Sequence, residues 1–260
     1  MEPVTLDIAD GIARVALNRP AQMNAISPEL LDALDRACAT IELADDARVV
    51  TLTGNGRIFC AGADLKVVQE RVPDPVRWKE FMAQWRRVFD RVERLPRPVI
   101  AGVHGLALAG GLELVLCADL VVADAEARLG DQHANFGLVA GGGGSQRLPR
   151  VVGPRRAKEL MLLGGWLSAE DARGWGLVNR VAPAGKLRET VDELARQLAD
   201  KSVGAARAVK VLVNRALDVD LATGLDLEMA EAARHMRGPD AAEGLAAFVG
   251  KRQPVFRRPA

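Results

Sequence analysis

Two short turns rich in small residues are the parts of this chain whose composition and spacing suit chemistry on an anion. The first, Phe59-Cys60-Ala61-Gly62-Ala63-Asp64-Leu65, follows soon after an apolar run at 49–53. Small residues there let the backbone approach a ligand closely. The second, Ala107-Leu108-Ala109-Gly110-Gly111-Leu112-Glu113, follows another apolar run at 99–103, and its glycines open a helix. Free N–H groups and the positive end of the helix dipole then face outward. On adjacent strands, two such turns can aim two N–H donors at one oxygen, the geometry of an oxyanion hole. A purely structural turn or a phosphate cradle has similar composition. Neither turn contains the G-x-G-x-x-G pattern of dinucleotide sites or the Walker lysine. The residues alone therefore point to an anion-stabilising site.

The elements that must carry these turns are legible around them. Val4 to Ile8 and Ile12 to Leu17 read as a hairpin joined by Asp10-Gly11. Ser27-Pro28 starts a helix with Ser as cap and Pro at the first position, and Leu30, Leu31, Leu34, Cys38 and Ile41 follow at helical spacing. Strands are expected at 49–53, 99–103 and 120–123, with helical sequence from Asp64 to Asp90 and from the second glycine turn to Cys117. Recurring strand, glycine turn and helix favour an α/β class. After Gly153-Pro154 the pattern reads as purely helical, over 154–163, 168–174, 186–200, 203–217, 221–236 and 239–250. No flexible linker separates the two parts, so one integrated unit is expected.

Composition narrows the function classes. The 260 residues carry a net charge of +1, which offers no electrostatic case for nucleic acid binding. The basic residues Lys251, Arg252, Arg257 and Arg258 form a local cluster, read as a solvated tail or a polyanion contact. Three cysteines, Cys38, Cys60 and Cys117, suit a reducing compartment. Three histidines leave little for a His-rich metal site, so no metal is expected. No apolar signal region opens the chain and no uncharged run is long enough to span a bilayer, so the expectation is a cytoplasmic protein without a membrane partner.

Six segments, in order along nearly the whole chain, resemble the enoyl-CoA hydratase/isomerase (crotonase) superfamily. They are Asn18-Arg19-Pro20 with Asn24-Ala25, Phe59 to Leu65, Pro98 to Gly105 running into Ala109 to Glu113, Gly143 to Pro149, Ser168-Ala169-Glu170 with Gly176-Leu177-Val178, and Glu243 to Phe248 with Lys251-Arg252. The resemblance implies a spiral of ββα units over 1–197 and a helical oligomerisation region over 198–260 that assembles trimers or dimers of trimers. It implies an acyl-CoA thioester as partner, with coenzyme A entering as part of the substrate and no separate cofactor. The backbone N–H groups of Ala63 and Gly110 are expected to form the oxyanion hole. CoA is expected to lie along Met23 and along Ala61, Asp64, Leu65 and Lys66, with a neighbouring subunit's Lys251 close by. The family often has a lysine near position 21, where this chain has alanine.

Hydration of a 2-enoyl thioester needs one group to activate water and one to supply a proton, and typical hydratases use two glutamates. Glu113 occupies the first position. Counting back from Gly143 to Arg147, the second falls on His133. Imidazole also exchanges protons near neutral pH, so hydration of a 2-enoyl-CoA to a 3-hydroxyacyl-CoA by Glu113 and His133 is the leading reading. The alternatives are carbon–carbon hydrolysis of a cyclic or β-keto acyl-CoA, which histidine-bearing members perform, and acyl-CoA binding with little hydratase activity. Asp131 is the candidate partner to orient His133, since on an extended segment the two share a face. His104 is read as a packing residue and His235 as solvated. The aromatic stripe Trp78, Phe81, Trp85 and Phe89 is read as core or as a border of the acyl tunnel.

Overall fold

The computed structural model describes residues 2–256; Arg257 and Arg258 of the basic cluster lie outside the described residues. Val4–Ala9 (β1) and Ile12–Leu17 (β2) form the expected antiparallel hairpin. Its turn places Asp10 at φ 54° and Gly11 at φ 78°, the left-handed pair that matches strand twist. The helix Pro28–Leu43 (α1) is capped by Ser27, whose Oγ accepts the Leu30 N–H, and Leu30, Leu31, Leu34, Cys38 and Ile41 are buried. Val49–Gly54 (β3) follows. The helical stretch expected from Asp64 is two helices, Leu65–Arg71 (α2) and Pro75–Arg94 (α3). Proline disfavours helical backbone in the residue before it, and Asp74 instead caps α3 by accepting the N–H groups of Val76 and Arg77.

The next coils are Val99–Val103 (β4), Leu106–Leu108 (β5), Gly110–Val115 (α4), Leu120–Asp124 (β6) and Arg128–Gly130 (β7). Then come Gly144–Val152 (α5), Pro154–Leu163 (α6), Trp166–Ser168 (β8), Ala169–Gly174 (α7) and Arg180–Ala182 (β9). Leu187–Ala199 (α8), Val203–Arg215 (α9), Leu221–His235 (α10) and Pro239–Val249 (α11) complete the described chain. The region after Gly153 is therefore not purely helical. β8 and β9 are three residues each, too short to show an alternating pattern, and they exist because sheet edges are there to pair them.

The coils alternate between two sheets, β4 then β5 and β6 then β7. The large sheet runs β1-β2-β3-β4-β6-β9, parallel except for the opening hairpin. The small sheet runs β5-β7-β8, and single bridges at Cys60–Ala107 and Ile26–Ala63 continue this second layer into the earlier coils. All five residues of β4 are buried, as a parallel strand covered on both faces requires. One face of the large sheet packs on α8 through Ile12, Val49, Ile100 and Val122 against Val191, Leu194 and Ala195. The opposite face joins α1 and α3 in the main core.

The helical end is tied to this core by polar contacts. Arg48 donates from Nη2 to the Lys201 carbonyl, and its Nε reaches that of Ala199. Lys210 of α9 donates to Asp119 Oδ2 at 2.7 Å and to the Arg97 carbonyl at 3.0 Å, with both side chains of the ion pair mostly buried. Burial raises the Asp119 carboxyl, and Lys210 opposes that rise. By contrast α10 buries none of its residues, and Leu221, Leu225, Met229, Phe248 and Val249 of α10 and α11 are exposed. No helix among the described residues is long and apolar enough to cross a membrane. Replacing Lys210 with Met strands a buried carboxylate, and the expected cost is about 3 kcal/mol or more in chemical denaturation. Adding Asp119→Asn to that variant should recover part of the loss; an unchanged midpoint for Lys210→Met alone contradicts the assignment.

Candidate active site

The two glycine turns meet. β3 and β4 are parallel neighbours, and the chain beyond each enters the second layer, where Cys60 accepts the Leu108 N–H and donates its own to Leu106. Gly111 packs so closely on this segment that an added Cβ would stand 2.3 Å from the Cys60 carbonyl oxygen. Gly62, at φ 94°, would likewise place a Cβ 3.2 Å from the Gly110 nitrogen. Both positions require glycine for close backbone approach. Ala63 lies between Gly62, whose carbonyl accepts the Ile26 N–H, and Asp64, whose N–H reaches the Ile26 carbonyl. Those two bonds turn the Ala63 N–H to the other side. Among the described residues, neither the Ala63 nor the Gly110 N–H is given to another group of the chain. The neighbouring thiol is no nucleophile, because burial pushes Cys60 up to about 12.

Glu113, on α4 one turn beyond Gly110, is 2% exposed. Its Oε1 accepts the N–H groups of Gly142 and Gly144, each at 2.8 Å. Gly144 opens α5, so the carboxylate also meets the positive end of that helix. Burial nevertheless raises the Glu113 carboxyl above the usual carboxylate range, opposed in turn by the Gly144 N–H, the charge on His133 and the Gly142 N–H. This role of the glycines was missed from sequence. The signal was present, since four consecutive glycines running into a helix N-terminus suit an anion.

His133 starts a single 3-10 turn, His133–Phe136, separated from the end of β7 by two residues. Asp131 Oδ1 accepts its backbone N–H at 3.1 Å and lies 2.9 Å from Nδ1. The expected partner is therefore present but by another route: the chain turns at Gln132 (φ −100°, ψ 4°) instead of running extended. Asp131 is 3% and His133 16% exposed at the side chain. The bond to Asp131 raises the imidazole above its ordinary value against the effect of burial, and the charges of Asp131 and Glu113 act in the same direction. His133 and Glu113 are close enough that each alters the other's proton affinity.

The residues expected along CoA are only partly gathered. Met23, half exposed at φ 53°, accepts the Ala61 N–H on its carbonyl, which joins those two segments. Asn24 secures the join from within, accepting the Arg19 N–H and donating to the carbonyls of Asn55, Ile58 and Phe59. Asp64 is taken up structurally: it pairs with Arg19 at 3.0 Å and caps α2 through the Lys66 N–H. Leu65 and Lys66 are exposed. Lys251 lies beyond α11 at φ 49° and shares no hydrogen bond or ion pair with them. His104 contacts the Gly56 carbonyl at 3.1 Å and His235 ends α10, half-buried. The aromatic stripe is core from Phe81 to Phe89, with edge-to-face contacts between successive rings.

The sequence model of the family described as enoyl-CoA hydratase/isomerase matches residues 7–259. The chain belongs to that family. An enoyl-CoA isomerase/hydratase of Mycosarcoma maydis is 38% identical over 98% of this chain and 96% of its own. A 1,2-epoxyphenylacetyl-CoA isomerase of Escherichia coli (strain K12) is 36% identical over 98% of both chains. The crystal structure of an enoyl-CoA hydratase from Bacillus anthracis superposes with a TM-score of 0.93 at 38% identity, covering 99% of this chain and 100% of that one. The crotonase-like spiral expected from sequence is thereby established. The relatives' names span hydratases and isomerases, so membership in the enoyl-CoA hydratase/isomerase family leaves the reaction to be argued from the site.

One position in this family site is strained. Ala109 precedes Gly110 at φ 47°, ψ −113°, a region disfavoured for a residue with a Cβ. Ala109→Gly should stabilise the fold by about 1 kcal/mol, after the larger entropy of an unfolded glycine is subtracted. Urea denaturation reads this directly, and a destabilised variant would show that the turn is held without strain.

Proposed function

We propose that the protein hydrates a 2-enoyl-CoA to a 3-hydroxyacyl-CoA. The observation that carries this reading is the pairing of a buried carboxylate, bonded through one oxygen only, with an imidazole held by Asp131, beside two unpaired amides. The Ala63 and Gly110 amides receive the thioester oxygen as it gains charge, an interaction stronger in the enolate than in the ground state. Glu113 takes a proton from water as its oxygen bonds to C3. His133, protonated at the outset, delivers a proton to C2. A proton then passes from Glu113 to His133 to restore the pair. Met23, Ala61, Leu65 and Lys66 flank CoA, Asp64 braces their segment, and Lys251 of a neighbouring subunit approaches the nucleotide. The exposed apolar faces of α10 and α11 are covered in a trimer or a dimer of trimers, which leaves the oligomer's CoA sites on the spiral cores.

Both groups titrate above their ordinary values, so hydration should follow a bell whose limbs belong to the pair. Its acid limb lies above the usual carboxylate range and its alkaline limb above the ordinary imidazole value. Asp131→Asn removes the bond and the charge that hold the proton on His133, so the alkaline limb should move to lower pH. Glu113→Gln and His133→Ala should each lower kcat on crotonyl-CoA by about a hundredfold or more. Wild-type protein that binds CoA thioesters yet hydrates neither crotonyl-CoA nor longer enoyl-CoAs would overturn the reading in favour of hydrolysis or binding alone. Sedimentation equilibrium should return three or six copies per particle, and a monomer at micromolar concentration would refute the assembly.

A further inference from the structure

Among the described residues, two buried side-chain nitrogens lack a hydrogen-bond partner, Arg48 Nη1 and Trp85 Nε1. Arg48 is already committed through its other two nitrogens to the Ala199 and Lys201 carbonyls. Trp85 has a single donor and is 4% exposed. An indole N–H buried in a core usually finds an acceptor, because leaving it unpaired is costly.

The packing fixes where this N–H lies. Phe81 and Phe89 hold the ring edge-to-face at 5.5 and 5.6 Å between centroids. A Cβ on Gly110 would stand 2.5 Å from Trp85 Cζ2 and 2.8 Å from Cη2, so the benzo edge abuts the residue that supplies one of the two free amides. The pyrrole edge reaches Gly142. A Cβ there would stand 2.6 Å from Trp85 Nε1 and 2.7 Å from Glu113 Oε2. Glu113 gives Oε1 to the two glycine amides, while Oε2 accepts no hydrogen bond from the chain. It is also absent from the buried unpartnered atoms, so it retains accessible surface. An unused donor and an unused acceptor thus flank the same glycine, with no side chain at Gly142 to stand between them; Nε1 itself is closed to solvent, so an oxygen reaches it only as the packing around Gly142 opens.

We propose that Trp85 Nε1–H and Glu113 Oε2 together hold the oxygen that bonds to C3 of the acyl group, as attacking water in one direction and as the 3-hydroxyl in the other. The proposal rests on the hydratase reading, because that reaction places oxygen at C3. Water accepts from Nε1 and donates to Oε2, which leaves its second lone pair for C3. As the O–C3 bond forms, the O–H bond breaks toward Glu113. The C2=C3 electrons move onto the thioester oxygen, and the indole keeps its proton throughout. Trp85 is then a catalytic residue in the strict sense, touching a reacting atom, and it favours 3-hydroxyacyl thioesters over saturated ones.

The chain has four tryptophans, so Trp85→Phe assigns the Trp85 signal in a spectrum of protein carrying 15N-labelled indoles. Saturating 3-hydroxybutyryl-CoA should move that N–H resonance downfield relative to butyryl-CoA. Replacing Trp85 with 3-benzothienylalanine keeps the ring and its packing but exchanges N–H for sulfur. This variant should lose about tenfold or more in kcat on crotonyl-CoA, with KM changed by less than about threefold. Hydration by wild type with an indole signal indifferent to the 3-hydroxyl, or an isostere with wild-type kcat, overturns the oxygen site and leaves the hydratase reading standing. No hydration, with the signal still responding to the 3-hydroxyl, overturns the hydratase reading and supports the oxygen site.

Discussion

The contact between the Gly111 Cα and the Cys60 carbonyl sets the scale of everything around the site. It brings two turns from adjacent parallel strands to a separation that admits no Cβ at Gly111, while Gly62 is held to glycine by its positive φ. Once they are seated, the Ile26–Ala63 bridge turns the Ala63 N–H away from its own layer, and α4 presents Gly110 from its first turn. The pair of free amides is then a property of the backbone. It draws on packing of the core behind it, where Phe59 and Cys60 are fully buried, and not on the side chains of Ala63 or Gly110. Such a site cannot be assembled piecemeal, because each donor is oriented by the same hydrogen bonds that build the second layer.

The Glu113–His133 pair is organised differently. Glu113 is confined by two backbone amides and a helix terminus, all of which favour its charged form, while desolvation opposes them and prevails. His133 is confined by a side chain, Asp131, that fixes both its backbone and its ring. The two halves therefore answer to different influences. Glu113 depends first on how completely the site excludes water, whereas His133 depends first on its bond to Asp131. On the proposed reading, that asymmetry separates the group that takes a proton from the group that gives one.

Much of this architecture was legible in the chain. Asp10-Gly11, Ser27-Pro28 and the apolar runs at 49–53 and 99–103 act locally, through turn conformation, capping and burial, and local rules read them correctly. The helices from α8 to α11 were placed within a residue or two for the same reason. What escaped was set by pairing at a distance. β5, β7, β8 and β9 have three residues each and become strands only where another edge receives them. The break at Val72–Asp74 was written in Pro75 but hidden by the charge pattern on either side. The Asp131–His133 pair was anticipated, though its turn was not, because a single 3-10 turn has no periodic signature. The amides of Gly142 and Gly144 could be read as anion donors, yet which anion they serve depends on where α4 and α5 meet.

The small sheet has a consequence of its own. β5 leads into Gly110 and β7 leads into Asp131 and His133, and these strands are parallel neighbours in register from Leu106–Arg128 to Leu108–Gly130. The Ala109 N–H to Gly130 carbonyl bond extends the ladder to the threshold of both groups. Gly110 and the Asp131–His133 pair thus follow adjacent strands of one sheet, whose backbones run roughly 4.8 Å apart. The residue at 133 is thus placed by backbone pairing in which its own side chain takes no part.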